Sequence, residues 1–188
     1  MTATIDRIPT SERLTSPPAR LSMTPAGSAR GLLDGAWWPR SRDLLRELPA
    51  LVRVLDARWG RITRVTVNPT HWPMIPRKVP VAGHTVHVGW FAEQDPHKLL
   101  LLSYTAGRWD LLVIPPETDA ATAARLMAAA ATSGTPLTAG ALMTNEDTSR
   151  EAQEPLDREG ERETDGGHAA AAAGDPKPPG YMSCVGGM

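Results

Sequence analysis

Four consecutive leucines, Leu99 to Leu102, stand between Lys98 and Ser103. A β-strand turns successive side chains to opposite faces, so this run is apolar on both. It reads as an interior strand, and an interior strand needs neighbours on either side. The flanking sequence offers them. His84 to Phe91 and Arg108 to Ile114 have strand character, the first separated from the leucines by a loop carrying Asp95-Pro96 and the second by the tight hairpin signal Ala106-Gly107. Upstream, Arg61 to Val67 (RITRVTV) is a β-branched run ended by Asn68-Pro69, and Arg20 to Thr24 and Leu32 to Trp38 read as short strands with Gly27 and Gly31 in the turn between them. The stretch NPTHWPMIPRKVP holds four prolines and reads as an ordered loop.

Two helices complete the pattern. Leu44, Leu45, Leu48, Leu51, Val52 and Leu55 recur at helical spacing behind Ser41, the expected N-cap, with Gly60 as the stop. Pro49 removes a backbone donor and predicts a kink or a fresh helix start. Thr118 or Asp119 caps a second, alanine-rich helix through Ala131, anchored by Leu126 and Met127. The order β-β-α-β-β-β-β-α with short links predicts an α+β domain. Its antiparallel β-meander sheet carries one long kinked helix and one C-terminal helix packed on one face.

The domain is expected over residues 20–143, after a flexible extension at 1–19 and before a disordered acidic tail at 144–188. Charge separates the parts. Residues 20–143 hold 14 basic and 9 acidic side chains, whereas 144–188 hold 4 basic and 10 acidic. The tail has few large apolar residues with which to offset the entropy of ordering. A lone cysteine, Cys184, excludes an intrachain disulfide and a cysteine-rich zinc framework. No apolar leader opens the chain, and the leucine run is far shorter than the roughly 20 residues that span a bilayer. The expectation is a cytoplasmic protein without a membrane partner.

The segment GAWWPRSRD, Gly35 to Asp43, sets adjacent tryptophans and arginines before a helix start. A helix N-terminus offers free N–H groups and partial positive charge, so Trp37, Trp38, Arg40, Ser41 and Arg42 form a candidate site for a phosphate or carboxylate. The competing reading buries the indoles and leaves the arginines solvated. Six tryptophans against one phenylalanine and two tyrosines suggest that some line a pocket, with His71-Trp72 and Trp90 as candidates. His84 and His87 are three apart on a strand and face opposite sides, which argues against joint metal ligation. In the expected meander His87 and Asp110 share a face roughly 10 Å apart, across one intervening strand. No nucleotide-binding loop, nucleophile elbow or zinc-protease motif occurs, so no cofactor and no metal are expected.

As a set, GAWWPRSRDLLRELPALV, RITRVTVNPTHWP and HVGWFAEQDPHKLLLLSYTAGRWDLLVIPPET resemble a family of small actinobacterial proteins known only as a domain of unknown function. The resemblance covers about residues 20–143 and implies a bacterial cytoplasmic protein, but no activity, cofactor or catalytic residue. The leading functional expectation is therefore a non-enzymatic ligand-binding or regulatory module with a Trp/Arg-rich site for a small anionic or aromatic ligand or a protein partner. The alternative is a small enzyme using His87, Asp110 and Trp90. Nucleic acid, or a protein partner screened by the acidic tail, ranks below both, because the arginines are scattered along the sequence rather than gathered in one stripe.

Overall fold

The leucine run does become an interior strand. The computed structural model of the protein describes residues 17–105 and 107–164, with the backbone alone for 152–164. Its elements are β1 (Arg20–Met23), β2 (Gly35–Trp38), α1 (Leu44–Trp59), β3 (Ile62–Val67), β4 (Lys78–Val81), β5 (His84–Trp90), β6 (Lys98–Ser103), β7 (Gly107–Val113), α2 (Ala120–Ala130) and α3 (Ala139–Thr164). A single 3-10 turn, Pro69–His71, follows β3. Of the described residues, those up to Ser149 form one compact unit.

The fold is α+β, but the sheet is mixed. Its seven strands lie in the order β1-β2-β7-β6-β3-β5-β4. β2 with β7 and β3 with β5 are parallel pairs; the other four pairs are antiparallel. The expected antiparallel meander fails at three pairings: β5 does not pair with β6, β5 pairs with β3 in parallel, and β2 pairs with β7 in parallel. The cause of the first two is β4, which the proline-rich stretch conceals. Pro80 lies inside β4, and β4 is an edge strand, the place in a sheet where a missing N–H is tolerated. With β4 inserted, the chain reverses twice after β3. β5 therefore returns parallel to β3, and the other side of β3 is left for β6.

Helices cover both faces of the sheet rather than one. Leu111 and Val113 of β7 join a core under α1 with Leu48, Leu51 and Leu55, together with Leu99 and Leu101 of β6. The alternate residues Leu112 and Ile114 join a second core with Leu126 of α2 and Leu142 of α3. Alternation along β7 thus places α1 and α2 on opposite sides.

Local signals explain the helix ends. The N-cap of α1 is Asp43, not Ser41: its carboxylate accepts from the Leu45 N–H at 2.9 Å. Pro49 lies within α1 without dividing it. The carbonyl that loses its partner there belongs to Leu45, an exposed residue, so water can serve it. Asp119 caps α2. Gly35, at φ 149°, allows β1 to approach β2, because a Cβ there would collide with the Ser22 carbonyl oxygen. The described part of the expected tail, residues 144–164, continues α3 in a stretch rich in helix-favouring Glu and Arg. The flexibility expected of residues 1–16 and the disorder expected of 165–188 concern residues outside the described ones.

The two sides of β6 differ sharply. Leu99 and Leu101 are completely buried, while Leu100 and Leu102 are half-exposed on the other face. Leu101→Ala is expected to cost about 2–5 kcal/mol of unfolding free energy. Leu102→Ala, one residue along the same strand, should cost clearly less. Urea denaturation of the two variants checks the difference.

Candidate functional site

The residues that the sequence singles out fall into two clusters beside the β2–α1 loop and a scattered set on the sheet, and a further cluster lies apart from all of them. The first is a closed knot behind the β2–α1 loop. Trp37 and Trp72 stack at 5.8 Å between ring centroids and are both buried in the core. Beside them Arg42 donates to His71 Nδ1 at 3.2 Å and to the His71 carbonyl at 3.1 Å, and it pairs with Glu117. Arg42 can only donate, so His71 Nδ1 accepts and the ring proton of neutral His71 sits on Nε2. His97 lies 4.6 Å away between ring centroids. Its backbone N–H donates to Asp95, whose second oxygen accepts from Gly140 N–H at 2.8 Å.

Burial holds both imidazoles below their ordinary value of 6.5, with the charges of His97 and Arg42 adding to the effect at His71. His71 Nε2 and His97 Nδ1 are buried without hydrogen-bond partners. The adjoining cavity is only about 10 Å³, room for about one water and none for a ligand. Among the described residues no group of three or more His, Cys, Asp or Glu side chains can hold a metal ion. The knot ties five segments of the chain together.

The second cluster holds Trp38, Arg40 and Ser41. The Arg20 guanidinium lies 3.4 Å above the Trp38 ring, while Trp38 Nε1–H donates to the Pro115 carbonyl. The hollow here has a volume of about 410 Å³. Glu47, however, accepts from the Arg40 N–H and the Ser41 hydroxyl, and Asp43 takes the Leu45 N–H. The chain's own carboxylates thus occupy donors that an incoming anion would use. His87, Trp90 and Asp110 lie elsewhere, on the sheet. His87 and Asp110 do share a face, but β3 as well as β6 stands between their strands and Asp110 lies one row further along, so they are about 16 Å apart rather than about 10 Å. Asp110 is engaged by Arg108 at 2.9 Å and Lys98 at 3.6 Å. The geometry does not assemble a His87–Asp110 dyad.

The third cluster was not expected. The loop from Thr24 to Gly31 forms one wall of a groove of about 600 Å³. Trp59, from the end of α1, and Trp109, from β7, form another wall; their rings are parallel within 1° and 3.9 Å apart. Arg30 lies 5.5 Å over Trp109, and Arg58 and Asp34 complete the lining. The loop is held at both ends: Thr24 N–H donates to the Asp34 carbonyl at 3.0 Å, and Leu32 N–H donates to the Thr135 carbonyl at 3.0 Å. A Cβ at Gly31 would sit 2.7 Å from that Thr135 oxygen, so the close approach needs glycine. Asp34 accepts from the Asp110 N–H, and burial raises its carboxyl above the ordinary value of 3.8. Two buried polar atoms of the lining residues, Trp109 Nε1 and Thr24 Oγ1, have no partner. The signal for this groove was the Gly-rich turn TPAGSARG, but nothing in one sequence places Trp59 beside Trp109.

Residues 20–130 match the model of a family described as a family of unknown function, DUF5994. The chain belongs to DUF5994. No curated protein and no solved structure matches it. The DUF5994 region runs from the first residue of β1 to the last of α2, so it contains the whole sheet and every lining residue of the groove. α3 lies beyond it. No described helix is long and apolar enough to cross a membrane.

The imidazole pair gives this DUF5994 domain a pH dependence of definite sign. Both groups are depressed in the folded state, so the unfolded chain binds more protons as pH falls through about 6.5. Stability should therefore drop below about pH 6.5, from a plateau above it. Replacing both His71 and His97 by Gln should flatten that part of the curve, as read from urea midpoints at about pH 7.5 and about pH 5.5.

Proposed function

We propose that the domain is a non-enzymatic ligand-binding module, and that its ligand is a small planar anion seated in the groove between the Thr24–Gly31 loop and the Trp59–Trp109 stack. The supporting observation is the coincidence, in one groove, of an indole wall and two guanidinium groups. Arg30 and Arg58 favour a carboxylate or phosphate. Asp34, with its raised carboxyl, suits a ligand that also offers a donor or acceptor beside the anionic group. A volume of about 600 Å³ lies within the range of small-molecule sites. Such a ligand belongs to the small anionic or aromatic class that composition suggests, held by a different set of tryptophans and arginines.

Titration with benzoate, nicotinate and indole-3-acetate, followed by tryptophan fluorescence, tests the reading. At least one compound should quench the Trp59–Trp109 emission saturably. Arg58→Ala should weaken that compound about tenfold, the loss of one charge-assisted hydrogen bond. Trp109→Phe keeps an aromatic wall and removes the N–H, and should weaken it less. A panel without response, or an Arg58→Ala protein that binds as the parent does, overturns the proposal.

A further inference from the structure

The second face of the sheet is only partly covered. Its buried apolar residues, Ala36, Leu112 and Ile114, lie under α2 and the first turn of α3, at the β2–β7 end. Over β6, β3, β5 and β4 the same face is open, with a depression of about 820 Å³.

Strand registers determine what lines it. Lys78 of β4 stands opposite His87 of β5, His87 opposite Arg64 of β3, Arg64 opposite Leu102 of β6, and Leu102 opposite Arg108 of β7. One straight row thus crosses five strands, about 19 Å from end to end at about 4.8 Å per strand. The next row is Gly89, Thr66, Leu100 and Asp110. A Cβ at Gly89 would meet nothing within 4 Å, so the floor there is open.

The charge on this face is one-sided. None of the residues lining the depression is acidic. Among the described residues Arg64 and Lys78, like Arg77 just before β4, take part in no ion pair. Asp110 sits one row away and is already shared by Arg108 and Lys98. Two large rings stand at the rim: Trp90 is 59% exposed and Phe91 61%. Cations in a line match phosphates in a line, and rings left open to solvent offer flat faces to unpaired bases. A duplex keeps its bases stacked inside and has no use for such rings; a simple polyanion has none to offer them.

We propose that this open face binds single-stranded nucleic acid, with phosphates along the unpaired cations Arg64, Arg77 and Lys78 and bases at the rim against Phe91 and Trp90. The face is of a size to take two or three stacked bases, as other four-stranded platforms do. Arg64 lies on β3 and Lys78 on β4, on the far side of β5, so the stripe exists only after folding.

The test is fluorescence anisotropy of the full chain with a short labelled oligouridine, the matching RNA duplex and heparin as competitor. Oligouridine should bind with a slope of log K against log salt near −2, as expected for about three phosphate contacts. The duplex should bind at least about tenfold more weakly. Arg64→Glu with Lys78→Glu should abolish binding and Trp90→Ala should weaken it about tenfold with the slope unchanged. All three positions are exposed, and unchanged urea midpoints will show that the variants fold. Arg58→Ala, in the other groove, should leave oligouridine binding as in the parent. No binding at low salt, equal affinity for duplex, equal competition by heparin and parent alike with Trp90→Ala, or indifference to the charge reversals each overturns the proposal.

Discussion

The antiparallel pairing of β3 with β6 is the contact around which the rest of the domain is arranged. It sets Val65 against Leu101 at the centre of the sheet and brings two completely buried side chains together under α1. Each partner then carries one further strand: β5 on the outer side of β3, β7 on the outer side of β6. Those two attachments position everything with chemical interest. β7 brings Trp109 to the stack with Trp59, and β5 brings His87 and Gly89 to the open face, with Trp90 at its end. Had β5 paired with β6 instead, Arg64 would have lost its place in the cationic row.

Much of this was legible from the chain, and the failures have identifiable causes. Pattern marked β3, β5, β6, β7, α1 and α2: an unbroken leucine run for β6, β-branched or apolar runs for the other strands, and helical spacing or capped alanine-rich sequence for the helices. β4 escaped because Pro80 counts against a strand wherever the strand's position in the sheet is unknown. That one omission changed the parity of the chain reversals, and with it the sheet order and the distance from His87 to Asp110. Asp43 outranked Ser41 as the cap because its carboxylate lies two residues before the first free N–H, a difference that propensity does not resolve.

The candidate sites show the same division. Arg42 and His71 were each visible as unusual residues, yet their mutual hydrogen bond converts them from ligand candidates into internal ties. The groove at Trp59 and Trp109 and the row from Lys78 to Arg108 depend on pairings between distant segments, which a scan along the sequence does not contain. Arginines that look scattered in order are aligned in space because strands of similar polarity pattern stand side by side.

The parallel pairing of β2 with β7 also governs how the chain reaches this state. β2 begins at Gly35, but its partner begins at Gly107, roughly seventy residues later. At a synthesis rate of about 5–20 residues per second, β2 waits several seconds for that edge to emerge. Until then Ala36 and Trp37, both buried in the finished sheet, have β1 alone for a neighbouring strand. Of the strand pairings in the sheet, this one closes the longest loop, and that closure entropy is spent before the pairing gains anything. The newborn chain therefore carries a half-satisfied apolar hairpin that its own C-terminal half must claim before another chain does.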